Sequence, residues 1–203
     1  MKNFLQIIIV IGIAASILSG CAAPIQMITP AQESLKNYKV LEIAEMKSDI
    51  IGKTDAGVLN RIMEEVVVGI LDLKHFDTLI VSDTIGLEPK LAAKVLSPAS
   101  FNDSTAAVAL LKSTLVEYEE GSGLLRFLFG AFAGSGKVTL ELVVSNKTSH
   151  KLLMKARTTA NITGMFSSVN DVVDPLKRAI VNFVEDYFVK EKKYKPLTAA
   201  ERW

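Results

Sequence analysis

Residues 136–162 read GKVTLELVVSNKTSHKLLMKARTTANI, and this stretch decides the fold. Apolar and polar side chains alternate in its first part, which is the period of a strand buried on one face. The apolar positions of that face are Val138, Leu140, Leu142 and Val144. Polar residues interrupt the pattern at 146–150, and 151–162 resume it. The stretch therefore predicts a β-hairpin with one face against a core.

The segments before the hairpin change repeatedly between strand and helix patterns. Strand patterns occupy 38–45, 78–81 and 106–119, and a short helix fits 88–96. A longer helix follows a cap at Thr54 or Asp55, because apolar side chains recur there at helical spacing. Its predicted buried stripe is Val58, Leu59, Ile62, Met63, Val66, Ile70 and Leu73.

The last helix signal begins at Asp174, which can cap, and Pro175, which suits the first helical position. An apolar stripe continues to Phe188. Together the patterns predict an α+β fold, a two-layer α/β-like sandwich. Its sheet is mixed and largely antiparallel, with amphipathic helices packed on one face.

A short apolar run over residues 4–18 follows Lys2 and ends in Leu18-Ser19-Gly20-Cys21. The run is too short for a membrane-spanning helix but suits a secretory signal. Its end resembles a bacterial lipobox, which implies that Cys21 is lipidated and begins the mature chain. An ordinary signal peptide or an uncleaved anchor is the alternative. The lone cysteine disfavours both, because a free thiol is a liability in an exported protein.

The lipobox resemblance implies that acyl chains on Cys21, such as palmitate, hold the protein to a membrane. Ala22 stands where retained inner-membrane lipoproteins carry aspartate, which favours the outer membrane facing the periplasm. We therefore expect a signal peptide over 1–20, a lipidated cysteine and flexible tether over 21–37, and a single domain over 38–190. A polar C-terminal tail is expected over 191–203.

Composition argues against several functions. Apart from Lys2, the chain has 22 basic and 22 acidic residues. It therefore lacks the excess of positive charge that is typical of nucleic-acid-binding proteins. Gly134-Ser135-Gly136-Lys137 resembles the end of a phosphate-binding loop. Such a loop must be followed by a helix, whereas a strand pattern follows here, which argues against nucleotide binding. His75 and His150 are read as surface histidines without metal-ligand spacing. The sequence predicts no cofactor, metal site or catalytic residue.

Residues 121–136 read GSGLLRFLFGAFAGSG and join two predicted strands, yet they are mostly apolar. The favoured reading is that these side chains extend both strands and pack under the last helix. The other is a partly exposed loop that touches a partner protein or the lipid surface. The candidate contact residues of that loop are Arg126, Phe127, Phe129 and Phe132.

The same segment carries a family resemblance through Gly121-Ser122, Arg126 and the run 130–134, followed by an alternating strand and a final amphipathic helix. Residues 118–187 resemble a bacterial lipoprotein family of unknown function, the domain of unknown function numbered four-four-one-zero. The likeness is best in the C-terminal half and looser over 38–73. It implies an envelope lipoprotein and brings no activity or catalytic residues.

These observations predict a non-enzymatic, membrane-anchored envelope lipoprotein that acts as a binding or assembly accessory. Its expected partners are the membrane, through Cys21, and an envelope protein. The alternative is a periplasmic, hydrolase-like enzyme with a nonstandard site, which a deep pocket with several shifted titratable groups would favour. If the 121–136 segment is a contact, Phe127→Ser or Phe129→Ser weakens association with little loss of stability.

Overall fold

The computed structural model describes residues 24–49, 56–82, 87–103, 105–119, 136–162 and 173–192. The predicted α+β fold is confirmed: the described residues form a mixed sheet of seven strands with helices on one face. The strands are β1 (Ile25–Thr29), β2 (Val40–Ile43), β3 (Lys47–Ser48), β4 (Thr78–Val81), β5 (Val108–Glu119), β6 (Gly136–Asn146) and β7 (Leu152–Ile162). The helices are α1 (Ala56–Asp72), α2 (Pro89–Ala92) and α3 (Val173–Val184), with a 3-10 turn at Pro98–Ser100.

The strand order is β1-β7-β6-β5-β2-β4, and β3 pairs with β5. β2 runs parallel to both neighbours, so β2, α1 and β4 form a parallel crossover unit. In the row β5, β6, β7 and β1, each strand is antiparallel to its neighbour. The predicted hairpin is confirmed as β6 and β7, paired from Gly136 with Ile162 to Ser145 with Leu152.

Each connection between strands lies at one of the two ends of the sheet. At one end β5 finishes at Glu119, β6 starts at Gly136 and β7 finishes at Ile162, so the connection 120–135 leaves and returns there. We call this the connection end. The opposite end holds the β6–β7 turn and the start of β2, and we call it the groove end.

The alternation seen in the sequence separates the two faces of the sheet. The face toward the helices buries Val138, Leu140, Leu142 and Val144 of β6, as predicted, beside Ala109, Leu111 and Leu115 of β5. The opposite face is mostly polar, apart from a small cluster of Val40, Ile80 and Val108. One buried face on a twisted sheet is enough to fix the strand register.

α1 and α3 lie side by side on the apolar face and both run from the connection end toward the groove end. The buried side chains of α1 are Ile62, Met63, Val66, Val67 and Ile70, and all but Val67 belong to the predicted stripe. Leu59 and Leu73 of that stripe are partly buried and pack against the core, and the side chain of Val58 lies outside the described part of the chain. Those of α3 include Leu176, Ile180 and Phe183. The chain then continues as a π-helical turn, Glu185–Val189, whose Phe188 packs edge-on against Phe76 with ring centroids 5.4 Å apart.

The flexible tether expected over 21–37 is wrong for the part that the structure describes. β1 pairs with β7 along the edge of the sheet, and Ile25 and Met27 pack against the core. Farther along, the backbone N–H of Gln32 donates to the backbone carbonyl of Leu153 at 3.1 Å, and the side chain of Leu35 is 1% exposed. The reason is that burying the apolar side chains of Ile25, Met27 and Leu35 stabilises this segment against the core. The prolines that flank β1 do not prevent its pairing, because an edge strand tolerates proline at its ends.

Within the described residues, no helix is long and apolar enough to cross a bilayer. The proposed signal segment 1–20, Cys21 and most of the polar tail fall outside that part of the chain. The first two residues of the tail are described, and Glu191 contacts Ser34 and Lys36.

Candidate functional site

An open groove of about 470 Å³ lies at the groove end, between the β1–β2 connection and the C-terminal end of the last helix. Its apolar wall is formed by Pro30, Ala31, Leu35 and Tyr187, and its rim by Glu33, Ser34, Glu191 and Lys192. The volume falls within the range of sites that bind small molecules or side chains. A smaller pocket of about 190 Å³ lies between the end of α1 and the edge strand β4.

Beside the groove, four side chains from two separate segments form one polar network. The Tyr38 hydroxyl donates to Glu33 Oε1 at 2.7 Å and accepts from Asn146 Nδ2 at 3.1 Å. Lys151 Nζ donates to Glu33 Oε2 at 2.8 Å. Tyr38 is 5% exposed, so its ring belongs to the core and only its hydroxyl reaches the network.

The network shifts the pKa values of Glu33 and Lys151 so that both charged forms are favoured. Hydrogen bonds from Lys151 and then Tyr38 lower the pKa of Glu33, and the bond to Glu33 raises the pKa of Lys151. Burial raises the pKa of Tyr38, and the Glu33 carboxylate adds to the effect. All three groups therefore keep their ordinary charge at neutral pH, and the network ties the β1–β2 connection to the β6–β7 turn.

His75 lies near this end of the molecule, after α1. Its Nδ1 is 3.5 Å from Lys39 Nζ, and its ring meets Phe76 edge-on at a centroid distance of 5.0 Å. Burial lowers the pKa of His75, and the positive charge of Lys39 lowers it further. The expectation of a surface histidine is wrong for this half-buried ring, whereas His150 is exposed in the β6–β7 turn, with a φ of 57°.

A second polar cluster lies on the helix-free face of the sheet. Glu42 of β2 is 6% exposed, accepts a hydrogen bond from Ser82 Oγ at 3.1 Å and contacts the ammonium group of Lys147. A buried carboxylate requires such a partner, because removing the charge from water is costly. The backbone amide of Lys147 also donates to the Val108 carbonyl at 2.9 Å. The cluster therefore fixes the β6–β7 turn against the centre of the sheet.

Charged pairs also run across the helix-free face of β5, β6 and β7. Glu141 pairs with Lys155 at 2.8 Å and with Arg157 at 3.2 Å. Glu117 pairs with Lys137 at 2.9 Å and accepts from Thr139 Oγ1 at 2.9 Å. Hydrogen bonds from the lysines lower the pKa of both carboxyl groups. These cross-strand pairs make this face a solvated surface.

The residues that the sequence singled out are not the ones that the structure brings together. Cys21 and the candidate loop residues Arg126, Phe127, Phe129 and Phe132 lie outside the described residues. Lys137, from the imitation phosphate loop, is on β6 as the strand pattern predicted. Among the described residues, no three or more His, Cys, Asp or Glu side chains are grouped so that they could hold a metal ion.

Sequence reasoning missed the groove and its network altogether. Their residues come from 30–38, 146–151 and 187–192, and the first of these segments lies more than a hundred positions from the other two, so no local spacing could have revealed them. The available signal was the alternation of Ile25 and Met27 followed by Leu35, which marks 25–35 as part of the domain.

No protein-family model and no curated protein matches the sequence. Several solved structures are similar in fold. A PelC dodecamer from Paraburkholderia phytofirmans is 11% identical, with a TM-score of 0.49 over 82% of this chain and 98% of that one. The hypothetical protein CT253 from Chlamydia trachomatis is 14% identical, with a TM-score of 0.45 over 74% and 98%.

Lipoprotein GNA1162 from Neisseria meningitidis is 11% identical, with a TM-score of 0.41 over 72% of this chain and 98% of that one. Likeness at these identities and TM-scores carries no argument about function. The resemblance to the domain of unknown function numbered four-four-one-zero stays a prediction.

Proposed function

We propose that this protein is a lipoprotein of the bacterial cell envelope, anchored through acyl chains on Cys21, which binds another envelope component and catalyses no reaction. The proposed location is the outer membrane, with the domain in the periplasm. Its two proposed contacts are the groove at the groove end and the apolar 121–136 segment with Arg126, Phe127, Phe129 and Phe132.

The groove and the polar network beside it carry the binding part of this proposal. The directions of the pKa shifts support only the part that concerns catalysis. A general acid at neutral pH needs a carboxyl group with a raised pKa, and a catalytic lysine needs a lowered one. Among the described residues, the carboxyl groups with a shifted pKa are all lowered and the shifted lysines are raised. The lowered carboxyl groups are Glu33, Asp103, Glu117 and Glu141, and the raised lysines are Lys151 and Lys192. Each is held by a partner that stabilises its charge.

The groove has the features of a binding surface. One wall is apolar and three of the four rim side chains are charged, so a short extended peptide can bury a side chain against Leu35 and Tyr187 while its backbone meets the rim. Ion pairs already fix the rim, since Glu33 binds Lys151 and Lys192 binds Asp186 at 3.0 Å. A rigid rim lowers the entropy that binding would otherwise cost.

Photo-crosslinking in intact cells tests the proposal. A photoreactive amino acid at Ala31, in the groove, should capture a defined envelope protein, and Tyr187→Ala should abolish that crosslink. The same amino acid at Lys90, which is exposed elsewhere on the domain, is the matched control and should not capture it. If the photoreactive amino acid captures the same proteins from position 31 and position 90, the groove is not the binding site.

Enzymatic activity is tested separately with the purified chain. Incubation with peptidoglycan, phospholipids and ester substrates should give no turnover above the blank. If a substrate is hydrolysed and Glu33→Gln or Tyr38→Phe abolishes the hydrolysis without unfolding the protein, the periplasmic enzyme is the correct reading.

A further inference from the structure

His75 and Phe76 lie behind the groove, where the chain leaves α1, and we call them the ring pair. Lys74, which precedes them, has a φ of 51°, in the left-handed region that commonly ends a helix. The two rings meet edge-on with centroids 5.0 Å apart. Both side chains are half-buried, and the Nε2 atom of the histidine is itself inaccessible to water.

The ring pair contacts both walls of the groove. On one side, the imidazole Nδ1 is 3.5 Å from Nζ of Lys39, which belongs to the same β1–β2 connection as the groove residue Leu35. On the other side, the phenylalanine ring packs edge-on against Phe188, with centroids 5.4 Å apart. Phe188 directly follows the groove residue Tyr187. A change at the ring pair can therefore reach both walls.

The contact with Lys39 fixes the protonation state of His75. An ammonium group can only donate hydrogen bonds, so the facing Nδ1 must accept, and the single proton of the neutral ring lies on Nε2. A second proton would have to bind Nδ1, where it would point at another donor. The neutral imidazole is therefore the form that fits this site.

The surroundings of the ring also oppose a positive charge on it. Burial lowers the pKa of His75 most, and the charges of Lys39 and Lys36 lower it further. Asp77 and the backbone of Lys36 act in the opposite direction without reversing the shift. Since folding lowers the pKa below its ordinary value of 6.5, the neutral ring stabilises the fold above that pH, and the stabilisation is lost as the pH falls below it.

We propose that His75 makes the groove sensitive to protons, so that mild acid separates the ring pair from the β1–β2 connection and weakens binding at the groove. Protonation places a third positive charge beside Lys39 and Lys36, and Asp77 is the one carboxylate among the described residues that acts on the ring. The Lys36–Glu191 pair, which joins this connection to the chain after the last helix, is then weakened. This inference rests on the binding function proposed for the groove and names how that site is regulated.

Hydrogen–deuterium exchange on the purified full chain tests the effect of the proton on the fold. His75→Gln keeps a polar side chain that cannot become charged, and His150→Gln, at the exposed histidine, is the matched control. At about pH 5.5, peptides covering 33–39 and 185–190 should exchange several-fold faster in the unchanged chain and in His150→Gln than in His75→Gln. At about pH 7.5 the three proteins should agree. Equal exchange in the unchanged chain and His75→Gln at the lower pH would overturn the proposal.

Nuclear magnetic resonance tests the same site in a chain whose ring pair is intact. With isotopically labelled histidine, Nδ1 of His75 should carry no proton at about pH 7.5, and the ring should titrate below 6.5. Lys39→Met removes the facing ammonium group and should raise the pKa of His75. A proton on Nδ1 at the higher pH, or a titration that Lys39→Met leaves unchanged, would overturn the proposal.

Photo-crosslinking from Ala31 separates this regulation from the binding function itself. In isolated cell envelopes, capture of the partner should fall several-fold between about pH 7.5 and about pH 5.5 in the unchanged chain, but not in His75→Gln. Equal capture by the unchanged chain at both pH values would overturn the regulation and leave the binding function intact. No capture at either pH would overturn the binding function and its regulation together.

Discussion

Gly69 lies where α1 crosses α3, and Gly69→Ala tests that helix packing directly. A Cβ at this position would lie 2.5 Å from Cγ2 of Val181, which is well inside the 3.5–4.0 Å of ordinary carbon contacts. Valine has essentially one rotamer in a helix and cannot turn away. Overpacking of this kind costs about 1–3 kcal/mol, and the better helix propensity of alanine returns about 1 kcal/mol. We expect a net loss of about 1 kcal/mol in the free energy of unfolding.

Urea unfolding followed by circular dichroism measures this change. Val181→Ala in the same chain removes the clash, so the double variant should be more stable than the two single changes predict, with a coupling energy of about 1–3 kcal/mol. Asn60→Ala, at an exposed position of α1, is the control and should gain a few tenths of a kcal/mol from propensity alone. If Gly69→Ala stabilises the protein and shows no coupling to Val181→Ala, the two helices do not pack as described.

Three further predictions concern the polar clusters. Tyr38→Phe removes the hydroxyl that joins two segments and should lower the free energy of unfolding by about 1 kcal/mol in urea. Lys147→Met leaves the buried Glu42 carboxylate without its cation and should cost about 2 kcal/mol, since the lysine is itself partly exposed. Because the pKa values of Glu33 and Glu141 are lowered on folding, their stabilisation is present above the ordinary value of 4.5 and is lost as the pH falls below it. An acid titration of unfolding should therefore be shallower in Glu141→Gln, and an unchanged titration would contradict the ion pairs across β6 and β7.

The elements with a strong local period were predictable from the sequence. β4 matches the predicted bounds 78–81, because TLIV is a short apolar run closed by turns, and β6 and β7 follow from strict alternation around a polar turn. Pairing order was not predictable, since β2 finds its neighbours β4 and β5 at distant positions of the chain. Alternation of apolar and polar residues identifies the buried face of a strand, but it does not identify the strand with which it pairs.

β1 shows why the N-terminal segment was misread. Pro24 and Pro30 bracket only five strand residues, and proline, glutamine and serine nearby gave the composition of a linker. Edge strands tolerate proline next to them because one side of the strand makes no ladder bonds. The stability of β1 comes from β7 and from the core beneath Leu35, which no local window contains.

The candidate site was still less predictable. Glu33, Tyr38 and Lys151 carry no motif, and their network forms only when the β1–β2 connection and the β6–β7 turn meet at the groove end. His75 illustrates the same limit, because its burial depends on Phe76 and on Lys39 from another segment. Tertiary contacts, not spacing along the chain, create these environments.

Mass spectrometry of the protein purified from bacterial membranes tests the central claim, the lipid anchor, most directly. The unchanged chain is compared with Cys21→Ser, which cannot be acylated. We expect the unchanged chain to begin at Cys21, to carry acyl chains on that residue and to fractionate with the outer membrane, whereas Cys21→Ser does not. An unmodified Cys21, or the same membrane fractionation for Cys21→Ser, would contradict the proposed anchor.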